Sequence, residues 1–150
     1  KRQQALGFGM GSVPLILERR FNCLPDCVGV EIDPEICKLY HKYYTGNYEN
    51  IQLKNQDALE WIQQNSRQFD IIAIDLFFDA EVPDRFKTDD FMEAIKNSIK
   101  AGSLVLFSNM AVSAKQKERV LDFYENVFQK HFYSATLLKL SGNYMFVFED

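Results

Sequence analysis

A chain of 150 residues, 47% apolar and 25% charged, has the make-up of one soluble domain with a single core across residues 1–150. Its 17 basic and 21 acidic residues leave a net charge of −4, which argues against nucleic acid as a partner. No apolar run approaches the roughly 20 residues that cross a bilayer, and no leader pattern is present, so no membrane association is expected.

The three cysteines, Cys23, Cys27 and Cys37, make no CxxC pair, and the two histidines lie away from them at His41 and His131. No metal site is expected from such a set; buried or half-buried free thiols in the reducing cytoplasm are. Thirteen Phe and seven Tyr predict an aromatic core, with room for a pocket or a homodimer interface.

Residues 4–8 read as a short buried strand that starts almost at residue 1, so the natural protein is expected to carry an N-terminal extension. Gly7, Gly9 and Gly11 follow at alternate positions, and then "SVPLILERRF" reads as a helix with Pro14 in its first turn. "CVGVEI" is a second strand. "DPEICKLYHKYY" is a helix with Asp33 as its cap, Pro34 at its first position and apolar residues at helical spacing. "NIQLKN" alternates as a third strand, and Asp57 is placed to cap the short helix "ALEWIQQN".

"FDIIAIDLF" is a continuous apolar run, the pattern of a central parallel strand covered on both faces. A loop leads to a helix capped at Thr88 or Asp89, a turn glycine at Gly102 and the buried strand "LVLFSNM". "SAKQKERVLDFYENVFQKHF" predicts one long amphipathic helix with Val120, Phe123, Tyr124, Val127 and Phe128 on one face. "YSATLLKL" and "YMFVFE", separated by "SGN", read as a hairpin. The expected fold is α/β: a doubly wound, mainly parallel sheet with helices on both faces and a C-terminal antiparallel hairpin.

In such sheets ligands bind at the carboxyl ends of the strands beside the first one, where the notable residues of this chain fall. A glycine-rich strand-to-helix turn lets backbone approach a ligand, and the helix N-terminus favours an anionic group. Glu31 ends the second strand with two acceptor oxygens, suited to the paired hydroxyls of a ribose. Asp33 stands as a second acid there, besides capping the next helix.

Asp57 ends the third strand, where its carboxylate can accept from the exocyclic amine of adenine while the Ala58 amide donates. Asp75 ends the fourth, at the mouth of an apolar strand. Poor solvation there calls for a compensating cation, amine or backbone N–H.

The ordered set "GFGMGS", "VGVEIDP", "NQDALEW", "FDIIAIDLF", "VPDRFKTDDF" and "AGSLVLFSN" resembles the class I S-adenosylmethionine-dependent methyltransferase fold, in its spermidine-synthase-like branch. The resemblance implies Gly7, Gly9 and Gly11 beside the methionine part of S-adenosylmethionine or its decarboxylated form. It also implies Glu31 at the ribose, Asp57 with Ala58 at the adenine, and Asp75 where sulfonium and acceptor meet. Asp75 would be the base, with Asp79 the second candidate for that role.

Two departures stand out. Met10 and Ser12 flank Gly11 where aminopropyltransferases carry an acid, and Asp75 and Asp79 are separated from one another by a pair of phenylalanines. The N-terminal β-rich segment of those enzymes is not in this sequence.

Methyl transfer to a small-molecule acceptor, walled by Phe77, Phe78 and Phe86, is the leading expectation. The alternatives are aminopropyl transfer, a non-catalytic binding module and a dinucleotide oxidoreductase. Ser12 breaks the GxGxxG pattern that the last of these needs.

Overall fold

Alternating strand and helix patterns give, in the computed structural model, β1 (Arg2–Leu6), α1 (Ser12–Phe21), β2 (Asp26–Glu31), α2 (Pro34–Tyr43) and β3 (Ile51–Asn55). There follow α3 (Ala58–Gln64), β4 (Phe69–Ile74), α4 (Asp89–Asn97), β5 (Ile99–Met110) and α5 (Ala114–Phe123). A π-turn (Tyr124–Phe128), α6 (Gln129–His131), β6 (Thr136–Leu140) and β7 (Asn143–Glu149) complete the chain. Residues 1–23, 26–47 and 49–150 are described.

The strands form one sheet in the order β3-β2-β1-β4-β5-β7-β6. Its first five strands run parallel, and β7 lies antiparallel between β5 and β6. This is the Rossmann-like methyltransferase fold. Successive crossovers leave β1 in opposite directions, toward β2 on one side and β4 on the other, so a crevice opens at its carboxyl end.

Side-chain parity along the strands separates two cores. Val28, Val30, Leu6, Ile72, Ile74, Val105 and Phe107 pack with Ile62 of α3, Phe91, Met92 and Ile95 of α4, and Val120 and Phe123 of α5. On the other face Ala5, Phe8 and Cys27 pack with Leu15 of α1 and with Tyr40 and Tyr44 around α2. Beyond that smaller core, Ile71, Ala73, Leu104, Leu106, Met145 and Val147 on the same face are only half-buried.

Three sequence expectations change. The first strand runs from Arg2 to Leu6 rather than over 4–8, because Gly7 at φ 77° already turns the chain. Gly102 (φ 73°) sits within β5, where the pairing with β4 shifts between Phe69↔Ile99 and Ile71↔Leu104, so the expected turn is a bulge inside a longer strand.

The long last helix is interrupted by its π-turn. The wider turn offsets the drift of a regular helix, keeping Tyr124, Phe128 and Phe132 directed at Phe146 and Phe148, with ring centroids 4.9, 5.0 and 4.9 Å apart for Tyr124–Phe146, Phe128–Phe146 and Phe132–Phe148. The thiols also divide: Cys27 and Cys37 are buried and Cys23 is exposed.

Caps fix where the helices begin. Asp33 accepts from Glu35 N (2.8 Å), Thr88 from Phe91 N (3.2 Å), and Ser113 forms a reciprocal capping box with Gln116. No helix among the described residues is long and apolar enough to cross a membrane.

Candidate functional site

Ladder hydrogen bonds converge at the carboxyl end of β1. Gly7 N and Phe8 N both donate to Val30 O at 3.0 Å, and Asp75 N donates to Leu6 O at 2.9 Å. Gly7 is held so tightly that a Cβ on it would lie 2.1 Å from the Asp75 carbonyl oxygen, and its φ is +77°. Its missing side chain therefore serves the junction of β1 with β4.

Gly9 differs: at φ +57° it has open space where a Cβ would stand, so its bare backbone faces a void. Gly11 turns inward. A Cβ there would meet the rings of Tyr44, Tyr40 and Phe8 at 2.9–3.1 Å.

Glu31 spans the mouth of the crevice. Its Oε2 accepts from Gly9 N at 2.9 Å and its Oε1 from Asp33 N at 3.0 Å. Each oxygen keeps a further acceptor direction for a ligand hydroxyl. Asn55 steadies this strand end by donating to the Glu31 and Ile32 carbonyls at 2.9 and 3.0 Å. The neighbouring Cys37 thiol is pushed up from its ordinary pKa, first by burial and then by the charges of Glu31 and Asp33, and stays protonated beside the carboxylate.

Asp57 holds its side chain across the start of α3. Oδ1 accepts from Leu59 N at 2.8 Å and Glu60 N at 3.3 Å. Oδ2 meets Arg85 Nη2 at 2.6 Å, a partner that sequence reading did not supply. Arg85 belongs to a short 3₁₀ turn (Asp84–Phe86) in the β4–α4 connection, and only a three-dimensional neighbourhood could pair it with Asp57.

Gly7, Gly9, Glu31, Asp57, Ala58 and Asp75 line one cavity of about 650 Å³. Ile32 and Gln56 join them from the strand ends, and Leu76, Phe77, Phe78, Pro83, Arg85 and Phe86 from the loop after β4. The volume and the lining, apolar walls with a few convergent polar groups, suit a nucleoside-sized ligand.

Gly11, Asp33 and Asp79 lie outside this lining. Asp33 is engaged as the cap of α2. Asp79, at φ 55°, sits in a tight reverse turn closed by Phe78 N to Glu81 O (3.0 Å) and Glu81 N to Phe78 O (3.2 Å), and it faces a neighbouring hollow. That turn is moored to α5 through Gln116 to Ala80 O (3.2 Å) and Arg119 to Glu81 (2.9 Å).

The expectation of a poorly solvated Asp75 is corrected. The residue is exposed at the cavity mouth, where solvent reaches its carboxylate, and its side chain makes no hydrogen bond or ion pair among the described residues. Among the described residues no group of His, Cys, Asp and Glu is placed to hold a metal ion.

The fold has counterparts among solved structures. The structure is similar to human methyltransferase-like protein 13 in complex with SAH, at 18% identity and a TM-score of 0.79, covering 98% of this chain and 70% of that one. It is likewise similar to a probable spermidine synthase from Corynebacterium glutamicum, at 19% identity and a TM-score of 0.80, covering 99% of this chain and 56% of that one. A spermidine synthase in complex with the transition state analogue AdoDATO matches at 15% identity and a TM-score of 0.77. This chain spans 54% of that protein, so it amounts to little more than half the length of the two synthases.

No curated protein sequence matches. The family model for the spermine/spermidine synthase domain matches residues 16–148, and the chain belongs to that family.

Proposed function

We propose that the cavity binds S-adenosylmethionine and that the protein transfers its methyl group to a small-molecule acceptor. The observation that carries this reading is Glu31: a strand-ending carboxylate tied to the open glycine turn by the Gly9 N–H at 2.9 Å, with Asp57 and Ala58 lining the same cavity. Glu31 would receive the ribose hydroxyls, and Asp57 with the Ala58 amide would receive the base. When bound, the sulfonium supplies an electrophilic methyl carbon, taken by an acceptor lone pair while the carbon–sulfur pair stays with sulfur.

The protein's own contribution is placement. Phe77, Phe78 and Phe86 wall the space beside Asp75, where they would position a bound acceptor. The Asp75 carboxylate, exposed at that mouth and without a partner among the described residues, would take the proton that the acceptor gives up.

Aminopropyl transfer from decarboxylated S-adenosylmethionine is the second reading, favoured by the match to the spermine/spermidine synthase domain. Met10 and Ser12, where an acid would attract the shortened cofactor's amine, favour the methyl donor.

Calorimetry with both forms tests the proposal. We expect micromolar binding of S-adenosylmethionine and a loss of about 1.5–3 kcal/mol in Glu31→Ala, the worth of hydrogen bonds to a charged group. No heat with either form would overturn it. Binding without product across a broad panel of acceptors would mark a non-catalytic module.

A further inference from the structure

The cavity contains one strong polar interaction that an adenosyl ligand does not call for. The Asp57 carboxylate has two oxygens, and the backbone of α3 occupies Oδ1. Oδ2 is the oxygen left for a ligand, and Arg85 Nη2 lies 2.6 Å from it. Both residues line the cavity, so the guanidinium stands on the side from which a base would arrive.

The two partners are unequally solvated: the Asp57 side chain is 12% exposed and that of Arg85 48%. Arg85 can therefore leave into water at little cost, whereas Asp57 needs a replacement donor. The Arg85 guanidinium also rests 4.5 Å from the centroid of the Phe86 ring, and Phe86 itself is buried. The turn that carries Arg85 is thus anchored independently of the ion pair, and release requires only side-chain rotation.

We propose that Arg85 is a specificity-determining residue for the base end of the cavity: it competes with the ligand's exocyclic amine for Asp57 Oδ2. This rests on the adenosyl reading above. While Arg85 is present, the amine has to share Oδ2 with a charged donor that already draws on its electron density and stands in its approach, so the site distinguishes a 6-amino purine from a 6-oxo purine weakly. Without Arg85, the freed oxygen accepts from the amine directly and repels a 6-oxo group.

The test compares the wild-type protein with Arg85→Met, which keeps an apolar stem over Phe86 and removes the charge. Titration with S-adenosylhomocysteine should show about two- to fivefold tighter binding in R85M, the range of a half-exposed ion pair. The preference for S-adenosylhomocysteine over S-inosylhomocysteine should widen in the variant. Raising salt from about 0.05 to 0.5 M should tighten binding to the wild type, by screening the pair, and leave R85M unchanged.

Binding to R85M that is equal to or weaker than wild type, with an unchanged preference, would overturn the role of Arg85 and leave the adenosyl reading standing. Failure of both proteins to bind either ligand would overturn both. The salt arm needs no variant, so a poorly folding R85M does not block the test.

Discussion

Gly7 and Gly9 lie two positions apart and do different work. At Gly7 a methyl group would meet the Asp75 carbonyl at 2.1 Å on top of the strain of a positive φ. The backbone strain alone costs about 1–2 kcal/mol. Relieving the contact must also push the ends of β1 and β4 away from each other, so Gly7→Ala should lower stability by more than about 3 kcal/mol in denaturant unfolding. Gly9 carries only the strain, because nothing lies within 4 Å of the added atom. Gly9→Ala should cost about 1–2 kcal/mol in stability and reveal itself mainly as weaker ligand binding.

A third residue, Gln4, is a mismatch with its surroundings. It is fully buried in the middle of β1 and neither polar atom of its side chain has a partner among the described residues. Gln4→Met, close in shape and free of that desolvation, should raise the unfolding free energy by roughly 1–3 kcal/mol.

The elements that the sequence made legible are those whose signals are local. Asp33 with Pro34, Asp57 and Thr88 marked helix starts because a cap acts on amides two or three residues away. The strand-ending acids were legible for the same reason: Glu31 and Asp75 follow apolar runs whose length sets where a strand must stop.

What escaped was non-local. The π-turn answers to Phe146 and Phe148 on another strand. The bulge at Gly102 answers to a register set by β4. Arg85 meets Asp57 across two loops, and a lone arginine in a loop gives no hint of its partner. Likewise Gly11 looks like its two neighbours in sequence, yet it packs against Tyr40 and Tyr44, residues that α2 delivers.

Taken as one body, the protein has its candidate site at one end of the sheet and most of its cohesion on one side. Phe107, fully buried, touches the rings of Phe123, Phe128 and Phe146 at 5.4, 6.2 and 6.0 Å between centroids. Phe107→Ala should therefore cost about 3–5 kcal/mol. Met145 belongs to the opposite, half-buried side, and Met145→Thr should stay within about 1 kcal/mol of wild type. Chemical denaturation of both variants checks the contrast.

The parity of β5 turns this into a rule of permissiveness. Val105 and Phe107 point into the crowded layer, while Leu104 and Leu106, which alternate with them, do not. A mutational library from Leu104 to Phe107 should alternate, position by position, between lenient and unforgiving, and that rhythm would trace the sheet's two sides without any structure determination.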